Sequence, residues 1–159
     1  MKSAEDRRSF LPHQIRLLDP TSTMLTYTTL KLGPSDGKTA GVSDPAAALA
    51  LVKGVDWATI MVAWLETQEA PLPAVIFCSP DRRARLHVST IPLSLPGSSC
   101  QQVMLMWKEK TGWFQSRRHV LSAEVHDHAL LTRCLADLAA GEIEALIQLL
   151  RAEGVSVLD

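Results

Sequence analysis

The sequence predicts an α+β domain: a mostly antiparallel sheet of about four to six strands, preceded by a helix or helix pair and followed by two amphipathic helices packed on it. Three observations predict this. Asp44-Pro45 opens a helical segment in the first third, residues 74–122 carry β-type segments broken by turn residues, and two apolar stripes at helical spacing close the chain.

The elements follow in order. Residues 22–32 are rich in Thr with Tyr27, Leu25, Leu30 and Leu32, side chains that tolerate extended backbone, so a strand is expected. It ends at Gly33-Pro34-Ser35-Asp36-Gly37, which is turn chemistry throughout. Asp44 then caps a helix with Pro45 at its first position, residues 46–52 continue it, and Gly54 stops it. Residues 55–67 suit helix or strand; Trp57, Ile60, Met61, Trp64 and Leu65 fall at helical spacing, which favours helix.

From Ala74 the pattern is β. Residues 74–79 form a short apolar run, and residues 83–95 alternate imperfectly, limited by Pro92 and Pro96. Residues 101–109 put Val103, Leu105 and Trp107 on one face and Met104 and Met106 on the other. Lys110-Thr111-Gly112 turns the chain and residues 113–122 return, a hairpin with Trp107 and Trp113 flanking the turn. Leu130, Leu131, Cys134, Leu135 and Leu138 make one helical stripe ended by Gly141. Ile143, Leu146, Ile147 and Leu150 make another ended by Gly154, after which residues 155–158 read as a short edge strand.

The whole chain, residues 1–159, reads as a single domain. Its 47% apolar and 21% charged composition is that of a chain that buries a core rather than one that stays unfolded. The longest membrane candidate, residues 57–65, is too short to span a bilayer, so no membrane association is expected. The first eight residues carry charges of both signs and lead into no long apolar stretch, so no secretory signal pattern is visible. Cys78, Cys100 and Cys134 are odd in number and widely spaced, which fits neither a disulfide framework nor a structural zinc site. A soluble protein of the cytoplasm, with reduced thiols, is the expectation.

Catalytic and ligand motifs are weak. The loop Gly33-Pro34-Ser35-Asp36-Gly37-Lys38-Thr39 has one residue too few for a phosphate loop and does not run straight into a helix, so a turn is expected. His126-Asp127-His128, with His119 or Cys134, lacks zinc-ligand spacing and sits where a helix begins, so capping is expected and no metal or cofactor. A Cys78/His87 pair has no supporting pattern; the expectation for Cys78 is a buried small apolar residue. No Ser stands in a nucleophile elbow.

Charge carries more information. Residues 80–120 hold seven cations against Asp81 and Glu109, a net of +5, whereas residues 121–159 run at −5. The basic side chains Arg82, Arg83, Arg85, Lys108, Lys110, Arg117 and Arg118, with Trp113, are therefore the expected partner-binding face. The leading reading is a non-catalytic intracellular adaptor or regulatory subunit that receives an acidic protein partner there. A nucleic-acid module using the same basic and aromatic side chains is the alternative, disfavoured by a formal net charge of −1. A small enzyme or ligand-binding domain whose site forms only in three dimensions is the third. The plainest account is mutual attraction of the two charged segments across the fold.

Overall fold

The computed structural model describes residues 24–69, 71–92 and 99–153 of the chain. Strands β1 (Leu25–Leu30) and β2 (Ala40–Val42) come first, followed by helices α1 (Pro45–Lys53) and α2 (Trp57–Thr67). Strands β3 (Ala74–Cys78), β4 (Ala84–Pro92), β5 (Ser99–Lys110) and β6 (Ser116–Val125) come next, then helices α3 (His128–Ala140) and α4 (Ile143–Glu153). The strands form one six-stranded sheet in the order β2-β1-β3-β4-β5-β6, antiparallel at every junction. The α+β class, the antiparallel sheet and the paired C-terminal helices all agree with the sequence.

Local chemistry explains where the helices start and stop. The Asp44 carboxylate accepts the Ala47 N–H at 2.8 Å with Pro45 in the first turn, and the Asp127 carboxylate accepts the Ala129 N–H at 2.8 Å. Asp127 therefore caps α3 from the middle of the His126-Asp127-His128 triplet, as its position at a helix start implied. Gly141 ends α3 at φ 75°, a left-handed cap that glycine adopts without strain. Gly54 ends α1 differently, in a right-handed conformation at φ −76°, so it stops the helix without its conformational freedom being needed. Of residues 55–67, Trp57–Thr67 form helix behind an Asp56 cap: Trp57 and Met61 are buried, Trp64 is half-buried, and Leu65 faces solvent. Gly154 and residues 155–158 lie outside the described residues.

Period-two alternation sorts the strands into two faces. Tyr27, Phe77, Leu86, Leu105 and Leu121 stand opposite one another across five strands, with Val75, Val88, Val103 and Ala123 in the neighbouring row. This face joins the main core, covered by a helix layer in which α1 touches α3, α3 touches α4, and both α3 and α4 reach β6. Leu131, Leu135, Leu138, Leu146 and Leu150 are fully buried in it, Ile147 nearly so, while Ile143 is only half-buried. Burying side chains of this size stabilises the fold by roughly 1.5–3 kcal/mol each.

The second face is treated differently along its length. Helix α2 packs against β4, and its Met61 is buried outside the main cluster, as are Ala74 and Cys100 at the same end of the sheet. Ser89, in register with that end, donates its hydroxyl to the Pro73 carbonyl. Toward the β3–β4 and β5–β6 turns, no helix among the described residues covers this face.

Two strand-level expectations change. Strand β2 follows the first turn, pairs with β1, and was not anticipated. The β5–β6 turn is longer than Lys110-Thr111-Gly112: the Thr111 N–H donates to the Gln115 carbonyl at 3.1 Å, so Trp113 and Phe114 sit in the turn rather than on the return strand. The aromatic partner of Trp107 across the hairpin is consequently His119, not Trp113.

Candidate functional site

The β3–β4 turn is built by one carboxylate. Asp81 accepts the Ser79 hydroxyl at 2.6 Å, the Arg83 N–H at 3.0 Å and the Arg83 Nε at 2.6 Å. The Ser79 hydroxyl in turn accepts the Ala84 N–H, and Arg82 takes a left-handed conformation at φ 58°. Partial burial pushes the Asp81 carboxyl up, but its hydrogen bonds to Ser79 and Arg83 outweigh that and hold it below the usual carboxylate range. The carboxylate thus stays charged and folds the turn so that Arg82, Arg83 and Arg85 emerge together.

Across the sheet the ladder continues one residue past β4, because the Lys108 N–H donates to the Arg83 carbonyl at 3.1 Å. Lys108 is in turn directly opposite Arg118. Arg83, Lys108 and Arg118 therefore form one row over three neighbouring chain segments. Arg85, Met106 and Val120 form the next row on the same face, and His87, Met104 and Ser122 the one after. A cavity of about 160 Å³ opens here, lined by Arg82, Arg83, Arg85, Lys108 and Arg118 together with Met106, Trp107 and His119. Among the described residues Arg83 alone of these cations has an ion-pair partner, Asp81.

The other expected residues are placed as follows. Arg117 stands opposite Glu109, so alternation sends it to the helix side of the hairpin, away from the Arg118 row. Lys110 ends β5 opposite Ser116 and lines a wider, more polar cleft with Glu142, Glu144 and Arg151 of the α3–α4 junction and α4. Trp113 is at the hairpin tip, 95% exposed beside Phe114 at 96%. The structure thus brings together Arg82, Arg83, Arg85, Lys108 and Arg118, and leaves Arg117 on the other face, Lys110 at the strand end and Trp113 at the tip.

Beneath the tip, the Trp107 and His119 rings stack at 5.0 Å and 16°, and His119 Nε2 lies 2.9 Å from a Glu109 carboxylate oxygen. No ion pair among the described residues links the basic segment to α3 or α4. Arg83, Lys108 and Lys110 nevertheless share the wider cleft with Glu142 and Glu144, so the two charged segments face one another there without direct ion pairs among the described residues.

The weaker candidates resolve locally. In the Gly33–Gly37 turn the Asp36 carboxylate itself accepts the Leu32 N–H at 3.1 Å, supplying from within the anion that a phosphate loop would take from a nucleotide. His128 Nε2 lies 3.1 Å from the Gln101 amide nitrogen and His126 is 3.6 Å from Glu124; no cluster of three or more metal-ligating side chains occurs among the described residues. Cys78 and His87 share the second face as diagonal neighbours without a hydrogen bond between them.

Sequence reasoning overlooked the apolar side chains next to the cations: Met104, Met106 and Val120. Their alternation with Val103, Leu105 and Trp107 was visible. What was not visible is that, among the described residues, the helices cover only the other side at this end of the sheet.

Comparison of the chain with protein-family models, with curated proteins and with solved structures returns no match.

Proposed function

We propose that this chain is a non-catalytic interaction protein, an adaptor or regulatory subunit of the cytoplasm, that receives an acidic protein partner on the face built by the β3–β4 turn and the β5–β6 hairpin. The observation that carries the reading is the row of Arg83, Lys108 and Arg118, flanked by Arg85 and Arg82 around one cavity. Like charges directly opposite one another in a sheet destabilise it. Among the described residues an ion pair relieves that repulsion only at Arg83. Carboxylates from a partner would relieve the rest and be steered in by the same field.

The exposed pair Trp113 and Phe114 favours a second reading. Flat rings at the tip of the hairpin whose strands carry Lys110 and Arg117 offer stacking surfaces to unpaired bases, with cations for the phosphates.

Pull-down from native lysate, with and without nuclease, separates the two. The comparison is wild type against a variant with Gln at Arg82, Arg85, Arg117 and Arg118, which leaves Arg83 to hold the turn with Asp81. Recovery that survives nuclease, fades with salt and is lost in the variant is the expected result. Nuclease-sensitive recovery would shift the assignment to nucleic acid, and equal recovery by both forms would sink the basic face altogether.

A further inference from the structure

The cations do not stand on a polar surface. The row next to Arg83, Lys108 and Arg118 contains Met106 and Val120, and the row beyond it contains Met104 opposite His87 and, through His87, Ile76. Val120 is 59% exposed and Met104 37%. Apolar side chains left open in adjoining rows, beside a row of cations, offer a contact surface to a second molecule. Helix α2 shields only the opposite end of this face, where Met61, Ala74 and Cys100 are buried.

Resting on the acidic-partner reading above, we propose that this face, which no described element covers, seats an amphipathic helix of that partner. Its carboxylates lie along the Arg83–Lys108–Arg118 row and its apolar stripe on Met104, Met106 and Val120.

The geometry selects a helix. The face presents side chains rather than free backbone groups, so a lone partner strand gains no ladder from it, whereas a helix offers an apolar stripe with charges on its flank. Same-face rows are about 6.8 Å apart along a strand, so three rows span roughly 14 Å, enough for one helix of about 10–12 Å diameter with its flank toward the cations. Charge selects the flank: cations at one margin of an apolar strip match a helix with acids down one side. Methionines suit the seat, because an unbranched thioether repacks readily against an incoming surface. Arg85, set within the apolar row, can lay its stem along that surface while its guanidinium reaches the carboxylates.

The test uses the full chain and two labelled synthetic peptides of identical composition. In one, Leu residues form a single helical stripe with Glu along its flank; in the other the same residues are scrambled so that no stripe exists. Anisotropy titrations are run on wild type, on Val120→Thr, on Met104→Ser/Val120→Thr, and on Arg85→Gln/Arg118→Gln, each first checked for an unchanged melt. The striped peptide should bind wild type at least about tenfold more tightly than the scramble, the increment expected from burying a few apolar side chains. Val120→Thr should remove part of that advantage and the double apolar variant most of it, leaving the scramble's affinity unchanged. The arginine variant should weaken both peptides.

Equal binding of the two peptides by wild type overturns the helix seat while leaving the acidic-partner reading intact. Binding of neither overturns both. An oligothymidylate that displaces the striped peptide equally from wild type and from the apolar double variant also overturns the helix seat, because phosphates read only the cations.

Discussion

Trp107 and His119 face one another across the β5–β6 hairpin with ring centroids 5.0 Å apart and planes 16° from parallel. The pair sits where β5 leaves the helix layer: Leu105 and Leu121, one row inward, are buried, and every residue from 108 to 118 is exposed. The stack therefore closes the core at the root of the hairpin. A double-mutant cycle with Trp107→Leu and His119→Ala, read by denaturant unfolding, should give a coupling of about 0.5–1.5 kcal/mol. A coupling near zero would show that the rings merely lie side by side.

The C-terminal helices are integral to the fold. Leu135 is fully buried between the helix layer and the sheet. Leu135→Ala should lower stability by on the order of 2–5 kcal/mol, whereas truncating half-buried Ile143 should cost clearly less. Chemical denaturation with an unchanged m-value measures both. A chain cut after Ser122 that kept the same midpoint and cooperativity would contradict this placement.

His87 makes stability depend on pH. Burial disfavours its charged form, and Arg85 beside it adds repulsion, so its pKa lies below the ordinary 6.5. The unfolded chain then binds this proton more readily than the folded one, and the contribution is lost as pH falls below 6.5. Melting temperature should drop between about pH 7.5 and about pH 5.5, and His87→Gln should flatten that part of the profile. A profile identical in wild type and variant would remove His87 as the cause.

Arg82 separates binding from folding. Its backbone at φ 58° is left-handed, which costs an L-residue about 1–2 kcal/mol. Glycine avoids that cost but loses about 0.5–1 kcal/mol to the greater freedom of its unfolded chain. Arg82→Gly should therefore raise stability by on the order of 0.5 kcal/mol while removing one cation from the cavity. Denaturant midpoint and partner affinity should move in opposite directions.

Elements whose reasons are local were readable from sequence, and those set by distant contacts were not. Asp44-Pro45 and Asp127 mark helix starts because the cap bonds its own next few N–H groups. Strand β2 escaped because three residues containing Gly41 become a strand only through pairing with β1. The placement of β1 beside β3, across two intervening helices, has no local signal either. At the site, composition picked out the cations, yet treating Arg117 and Arg118 as one group ignored alternation, which sends neighbours to opposite faces. Trp113 and Phe114 fall on the expected return strand because Gly112 reads as the end of a short turn, whereas the Thr111–Gln115 bond closes a wider turn around them. Which sheet face the helices would leave open depended on how α2 docks, and nothing in its own sequence states that.

The hairpin beyond Trp107 has an evolutionary consequence. Residues 108–118 contribute no buried side chain, so substitutions there leave the core's packing untouched. Selection on this arm then answers to what it meets, while the root at Leu105, Trp107, His119 and Leu121 answers to the fold. Descendants of this gene should diverge fastest in the sign and spacing of charges along the arm, on an unaltered scaffold. Drift in that short stretch would change the surface offered to the proposed partner long before it eroded the architecture.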